Sequence, residues 1–252
     1  MANPLWQVTA AYIFAVAGGA ISVVLRLEHK PLCALISFAA GTLLGVTLFA
    51  IFPESLGASP WWAMVVALIS GYALFYLISK HVHHVCPACA ASHFDADATR
   101  HFSEIATALI VAMAIHSTTD GLALGLQGET PAPDATKWSL FAALCIHKLP
   151  EGLALGSLLV GAGFSRTSAL GWVAAVEGTT LLGGVIGYAF LTHISTLWLD
   201  LIMAYVGGGF IYLAVHAVLG EMLKHGKKLV LTSFALGVAL IAVLNIALRM
   251  IT

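Results

Sequence analysis

Residues 114–125 read AIHSTTDGLALG and residues 145–156 read CIHKLPEGLALG. Both follow the pattern His-x-x-x-acid-Gly-Leu-Ala-Leu-Gly, with His116 and Asp120 in the first copy and His147 and Glu151 in the second. Each copy lies inside an apolar run long enough to cross a bilayer, and the composition around them makes a bilayer the only suitable solvent. Of the 252 residues 60% are hydrophobic and 9% charged, against about 25% charged in an ordinary soluble domain. So few charges cannot coat a soluble enzyme of this size. Eleven basic and 12 acidic residues give a net charge of −1, which excludes a basic nucleic-acid binder, and the apolar content excludes a disordered chain.

On either side of the two copies, apolar runs recur along the whole chain, each near the ~20 residues that cross ~30 Å of hydrocarbon. They predict eight spans, at about 6–27, 32–52, 60–79, 104–127, 138–161, 168–191, 195–218 and 229–250. The runs are continuous rather than alternating, as a helical bundle requires and a β-barrel does not. The expected fold is an all-α membrane protein, one transmembrane domain over 1–252. The first run has no basic n-region or A-x-A-type site, so no cleaved signal peptide is expected. The connections between spans 1–2, 3–4, 5–6 and 7–8 hold Arg26, Lys30, Lys80, Arg100, Arg166, Lys224, Lys227 and Lys228, against Lys137 and Arg249 on the other side. The positive-inside rule then places both termini outside the cytosol, in a plasma or inner membrane. The remaining basic residue, Lys148, lies inside span 5.

Small-xxx-small pairs at Gly41/Gly45, Gly121/Gly125, Gly152/Gly156 and Gly183/Gly187 predict close backbone crossings. A fainter echo links span 2 to span 7: Gly41 and Glu54 have the same separation as Gly208 and Glu221. Spans 2 and 7 run in opposite directions, so the echo predicts inverted repeats, spans 1–3 and 6–8, around spans 4 and 5. Transporters commonly bind substrate at the midplane between such halves.

Four residues apart on a helix, His116 and Asp120 share one face, as do His147 and Glu151. At 1.5 Å per residue, His116 lies ~17 Å from one end of its span and His147 ~14 Å from the opposite end of the next, nearly one level. Two imidazoles and two carboxylates from two helices suit Zn²⁺, with Fe²⁺, Mn²⁺, Co²⁺ and Cd²⁺ compatible. Glu177 in span 6 adds a third acid. Asp120, Glu151 and Glu177 sum to −3, Lys148 contributes +1, and one divalent ion brings the total to zero. The same charges predict that protons compete with the metal. Pro150 removes a helical hydrogen bond and frees the carbonyl of Ile146, beside His147. Two other readings fit parts of the cluster. Bis-His haem ligation uses the imidazoles and leaves three carboxylates without purpose; a zinc-dependent intramembrane hydrolase uses metal-activated water. Neither H-E-x-x-H nor G-x-S-x-G occurs. No organic cofactor is expected.

Eight spans, a His-rich loop between spans 3 and 4, and the signatures His-Ser-x-x-Asp-Gly and His-Lys-x-Pro-Glu-Gly resemble the ZIP (Zrt/Irt-like) divalent-metal transporters. The resemblance covers nearly the whole chain. It implies movement of zinc, iron or a related metal into the cytosol, with His116, Asp120, His147 and Glu151 as the primary site, and it allows a homodimer. Ser117, Lys148 and Glu177 fall where binuclear members bind a second metal, with Asp120 and Glu151 as bridging acids. Lys148 departs from that pattern, because a cation stands where a ligand is expected. Its ammonium is predicted to replace the second metal.

Residues 80–103 form the expected cytosolic loop. It carries His81, His83, His84, Cys86, Cys89 and His93, with His101 further on. Imidazoles with a C-x-x-C pair suit transient zinc binding in a reducing compartment, as a sensor or acceptor. His216 and Glu221 of span 7 are candidates for relaying metal on the same side; Glu54, Asp200 and His193 are candidates for attracting cations on the other. Cys33 and Cys145 read as buried apolar residues.

Overall fold

Pro53 follows an apolar run in span 2, and a proline has no N–H to continue an α-helical ladder. The computed structural model of the chain accommodates it with a π turn at Thr47–Ile51, in which the Phe52 amide donates to the Thr47 carbonyl. The structure describes residues 4–24, 29–58, 60–82, 102–127, 132–161, 163–191, 194–224 and 227–251. Among these, every regular element is helical. The helices are α1 (Leu5–Val24), α2 (His29–Val46, carried through the π turn into Phe52–Ala58), α3 (Trp61–Val82), α4 (Phe102–Leu126), α5 (Asp134–Gly161), α6 (Arg166–Glu177 and Thr179–Phe190), α7 (Thr196–Lys224) and α8 (Lys227–Ile251). They match the eight predicted spans, with α2 and α7 extending further than expected. Seven are long and apolar enough to cross a membrane among the described residues; α4, with 25 residues, lies among them as the eighth. One interruption has no counterpart in the predicted spans: α6 breaks for a single residue at Gly178, immediately after Glu177.

The principal packing pairs are α1 with α5, α4 with the second half of α6, α2 with α8, and α3 with α7. Each pair crosses at a reciprocal glycine contact. A Cβ on Gly18 would strike the Leu149 carbonyl and one on Gly152 the Ala15 carbonyl. The same holds for Gly121 against Thr180 with Gly183 against Thr118, for Gly41 against Phe234 with Gly237 against Phe38, and for Gly71 against Tyr205 with Gly208 against Leu68. Backbones this close exclude any side chain from the crossing, as in small-residue interfaces generally. Further contacts join α1, α4, α5 and α6 into one half of the molecule and α2, α3, α7 and α8 into the other.

The halves meet mainly where α2 and α8 lie against α5. Toward the face that bears the chain termini this junction is a continuous apolar core, including Leu43, Val46, Ile51, Leu140, Leu144 and Phe210. Toward the opposite face it opens into an apolar cavity of about 440 Å³. Ile36 and Ala40 near the start of α2, Ala154 in the later part of α5, and Ala217 in the later part of α7 line it.

A candidate metal centre at the middle of α4 and α5

His116 and His147 sit near the midpoints of α4 and α5, helices of 25 and 28 residues. The α-helical repeat puts Asp120 and Glu151 one turn further along the same faces, and the Gly121 and Gly152 crossings hold those faces inward. The result is a cluster in which one ligand atom from each of His116, Asp120, His147 and Glu151 lies within 4.8 Å of all the others. The two imidazole Nε2 atoms are 2.9 Å apart. His116 Nε2 is 3.5 Å from Asp120 Oδ2 and 3.6 Å from Glu151 Oε1, and His147 Nε2 is 3.4 Å from Glu151 Oε2. Zn–N and Zn–O bonds of 2.0–2.2 Å in a tetrahedron set ligand atoms about 3.3 Å apart, so the cluster is within small side-chain adjustments of such a geometry. His116, Asp120 and Glu151 are buried, whereas the His147 side chain is 15% exposed. The cavity reaches His116, His147 and Glu151 and is walled by Pro150, so access to the cluster comes from the face opposite the termini. Both imidazole Nδ1 atoms are buried and have no hydrogen-bond partner among the described residues.

Beside the quartet, and fully buried, stands Lys148. Its Nζ lies 2.9 Å from Asp120 Oδ2, 2.9 Å from Glu151 Oε2 and 3.0 Å from Glu177 Oε2, and it donates to Ser117 Oγ at 2.8 Å. Ser117 in turn donates toward Glu177 Oε2, 3.0 Å away. A charge taken out of water persists only when paired and hydrogen-bonded, and this ammonium meets that condition on every side. Asp120 and Glu151 therefore face two ways, each toward an imidazole and the ammonium. Glu177 reaches the group from the last position of the first half of α6. Just past the break, Thr179 Oγ1 lies 2.9 Å from the Ala114 carbonyl of α4 and fixes that end of the helix beside the site.

The structure thus brings together all seven residues of the expected primary and neighbouring sites. It places His216 elsewhere, stacked on Tyr212 at a centroid distance of 4.1 Å. Tyr212 stacks on Phe75, which meets the His116 ring edge-on at 6.2 Å. Phe75 and Tyr212 give no signal in the sequence, where they are two aromatics among many apolar residues. Glu54 and Asp200 come together in a smaller pocket of about 360 Å³ at the terminus-bearing end, with Lys137 on its wall. His83, His84, Cys86, Cys89, His93, His101 and His193 lie outside the described residues, as do the side chains of His81 and Glu221. Cys33 and Cys145 are buried, as expected. The two imidazole nitrogens, 2.9 Å apart, stand closer than the two axial ligands of one haem iron, so this arrangement gives the haem reading no support.

Comparison with known proteins agrees with the geometry. The sequence model of the ZIP zinc transporter family matches residues 88–245, from ahead of α4 into α8. The zinc transporter zipt-7.1 of Caenorhabditis briggsae is 26% identical over 249 residues, covering 76% of this chain. The chain spans about three fifths (62%) of the length of that curated relative. With the family match extending over more than half of its residues, the chain belongs to the ZIP zinc transporter family.

Proposed function

We propose that this chain carries divalent transition-metal ions, zinc foremost, across a membrane, one ion at a time, through His116, Asp120, His147 and Glu151. The observation that carries the proposal is the buried quartet itself: four metal-ligating atoms on two helices, at mid-span, within 4.8 Å of one another. Charged groups at this depth are costly unless they serve a path for ions. Family membership favours transport over the hydrolase reading.

Lys148 takes the place of a second ion. Its ammonium already neutralises the acids that would otherwise be shared between two metals, and the remaining charge of −2 matches one divalent cation. The ion enters from the terminus-bearing side and leaves through the cavity toward the face that carries most of the basic residues, the cytosolic face by the positive-inside rule. The glycine crossings support an inverted repeat. Exchanging α1 with α6, α2 with α7, α3 with α8 and α4 with α5 converts the Gly18/Gly152 crossing into Gly183/Gly121, and Gly41/Gly237 into Gly208/Gly71. Glycines of spans 1–3 thereby map onto those of spans 6–8, including the Gly41–Gly208 pair that the sequence echo marks.

The His/Cys segment acts as an acceptor or sensor on the exit side; deleting 81–93 is expected to alter regulation and leave basal transport in place. Uptake of several radiolabelled divalent metals into proteoliposomes, wild type beside His147→Ala, tests the whole reading. Metal uptake that depends on His147 supports it, and equal uptake by the two proteins overturns it.

A further inference from the structure

Ser139, on the second turn of α5, is fully buried, and its hydroxyl donates to the Ala135 carbonyl at 2.7 Å. With its proton so committed, Ser139 Oγ accepts a hydrogen bond from Asn245 Nδ2 of α8 at 3.1 Å. Asn245 is itself buried, 3% exposed, and its Oδ1 accepts from Arg249 Nε at 2.9 Å. The arginine decides which way the amide points. A guanidinium is donor only, so it holds the carbonyl oxygen toward itself and turns the amide nitrogen onto Ser139. The chain of bonds runs from the exposed end of α8 to the backbone of α5, and so from one half of the molecule to the other. Its surroundings are the apolar core of the terminus-bearing end: Leu140 and Ala143 flank Ser139 on α5, and Ile241 lies one turn from Asn245.

Apolar surfaces slide over one another with little directional preference, but a buried hydrogen bond between them selects one register, because breaking it strands a donor and an acceptor where no water can replace them. We infer that Ser139 and Asn245, oriented by Arg249, form a polar latch that holds α5 against α8 and keeps the terminus-bearing end closed while the cavity on the other side is open. Asn245 and Ser139 are positioning residues: they touch no metal and act through the placement of α5, which carries His147 and Glu151. The inference rests on the transport reading to the extent that a carrier must release this latch in each cycle.

The test reads accessibility rather than flux. In protein with Cys33→Ala, Cys86→Ser, Cys89→Ser and Cys145→Ala, a reporter is introduced at Ala143→Cys, within the closed core. Its labelling by a membrane-impermeant maleimide is followed from the terminus-bearing side in liposomes. Asn245→Leu and Ser139→Ala are each expected to raise the labelling rate roughly fivefold, the population shift of one lost buried hydrogen bond. The double variant should be no faster than the faster single one, and Arg249→Gln should give a smaller rise. Ser139→Ala removes one atom from a buried helix position and keeps the test decisive if Asn245→Leu does not fold. Unchanged labelling in Ser139→Ala, or additive effects in the double variant, overturns the latch. Zinc uptake measured on the same liposomes separates the two ideas: responsive labelling without uptake in the unlatched and parent proteins overturns transport alone, and uptake with unresponsive labelling overturns the latch alone.

Discussion

Two clusters stand side by side at the centre of this protein, share Asp120 and Glu151, and differ in what their other members offer. On one side, the imidazoles of His116 and His147 turn their Nε2 atoms toward the carboxylates, and His147 is partly open to the cavity. On the other, Ser117 and Glu177 close around the ammonium of Lys148, which has no exposed surface. In the function proposed above, the first arrangement takes its cation from outside, whereas the second carries its own, tethered by four carbons to α5. On that reading a mobile ion and a covalently held one balance the same pair of acids, and only the mobile one is cargo.

The strongest way to break this contrast is to remove a ligand from the open side. His147→Ala or Glu151→Ala is expected to lower zinc uptake in proteoliposomes by more than the ~10–100-fold typical of losing an outer-sphere partner of a metal. Next in size is loss of the tethered charge. Lys148→Met leaves three carboxylates around an uncharged thioether and should destabilise the protein by about 3–5 kcal/mol, as breaking a buried ion pair does, seen as a lower thermal midpoint in detergent. Lys148→Asn replaces the cation with a ligand and should turn the closed side into a second metal site. Anomalous scattering should then show two adjacent ions where the unmodified protein shows one; two well-occupied ions in the unmodified protein would refute the substitution of metal by lysine. A smaller effect is expected from pH. Protons compete with the cation for the same imidazole and carboxylate atoms, so uptake should decline as pH falls from about 8 to about 5.5. Flux insensitive to pH over that range would count against proton–metal competition. Smallest is Ser117→Ala, which removes one of several partners of Lys148 and should change the apparent KM for zinc by only a few-fold.

Much of the centre is legible in the amino-acid sequence. The i, i+4 spacing of His116 with Asp120 and of His147 with Glu151 places each pair on one helical face, and the repeated phrase puts the two pairs at one depth. Lys148 is conspicuous because every other basic residue falls at a span end or in a connection. Local departures are not legible. Pro53 signals a disturbance in span 2 without revealing that a π turn absorbs it, and nothing in Val176-Glu-Gly178 requires the helix to break at the point where Glu177 enters the site. Some glycines stand out as Gly-xxx-Gly pairs, yet Gly18, Gly71, Gly208 and Gly237 form crossings with no second glycine four residues away, since a crossing depends on which two helices meet. Phe75, Tyr212, Ser139 and Asn245 carry no signal, as their contacts come from residues far away in the chain.

The solvent, the number of spans and the chemistry at mid-membrane all follow from sequence, because hydrophobic run length and helical periodicity are local properties and a charge in hydrocarbon is costly wherever the helices pack. Three outcomes belong to the folded molecule: which helices pair through their glycines, that Lys148 is met by three carboxylates rather than one, and that an apolar core lies inward of the terminus-bearing pocket while the cavity on the other face reaches the quartet. They depend on how close two backbones approach and on the register in which one half rests against the other. Both are set by contacts between residues distant in the chain, such as Ser139 with Asn245, and no local pattern encodes them.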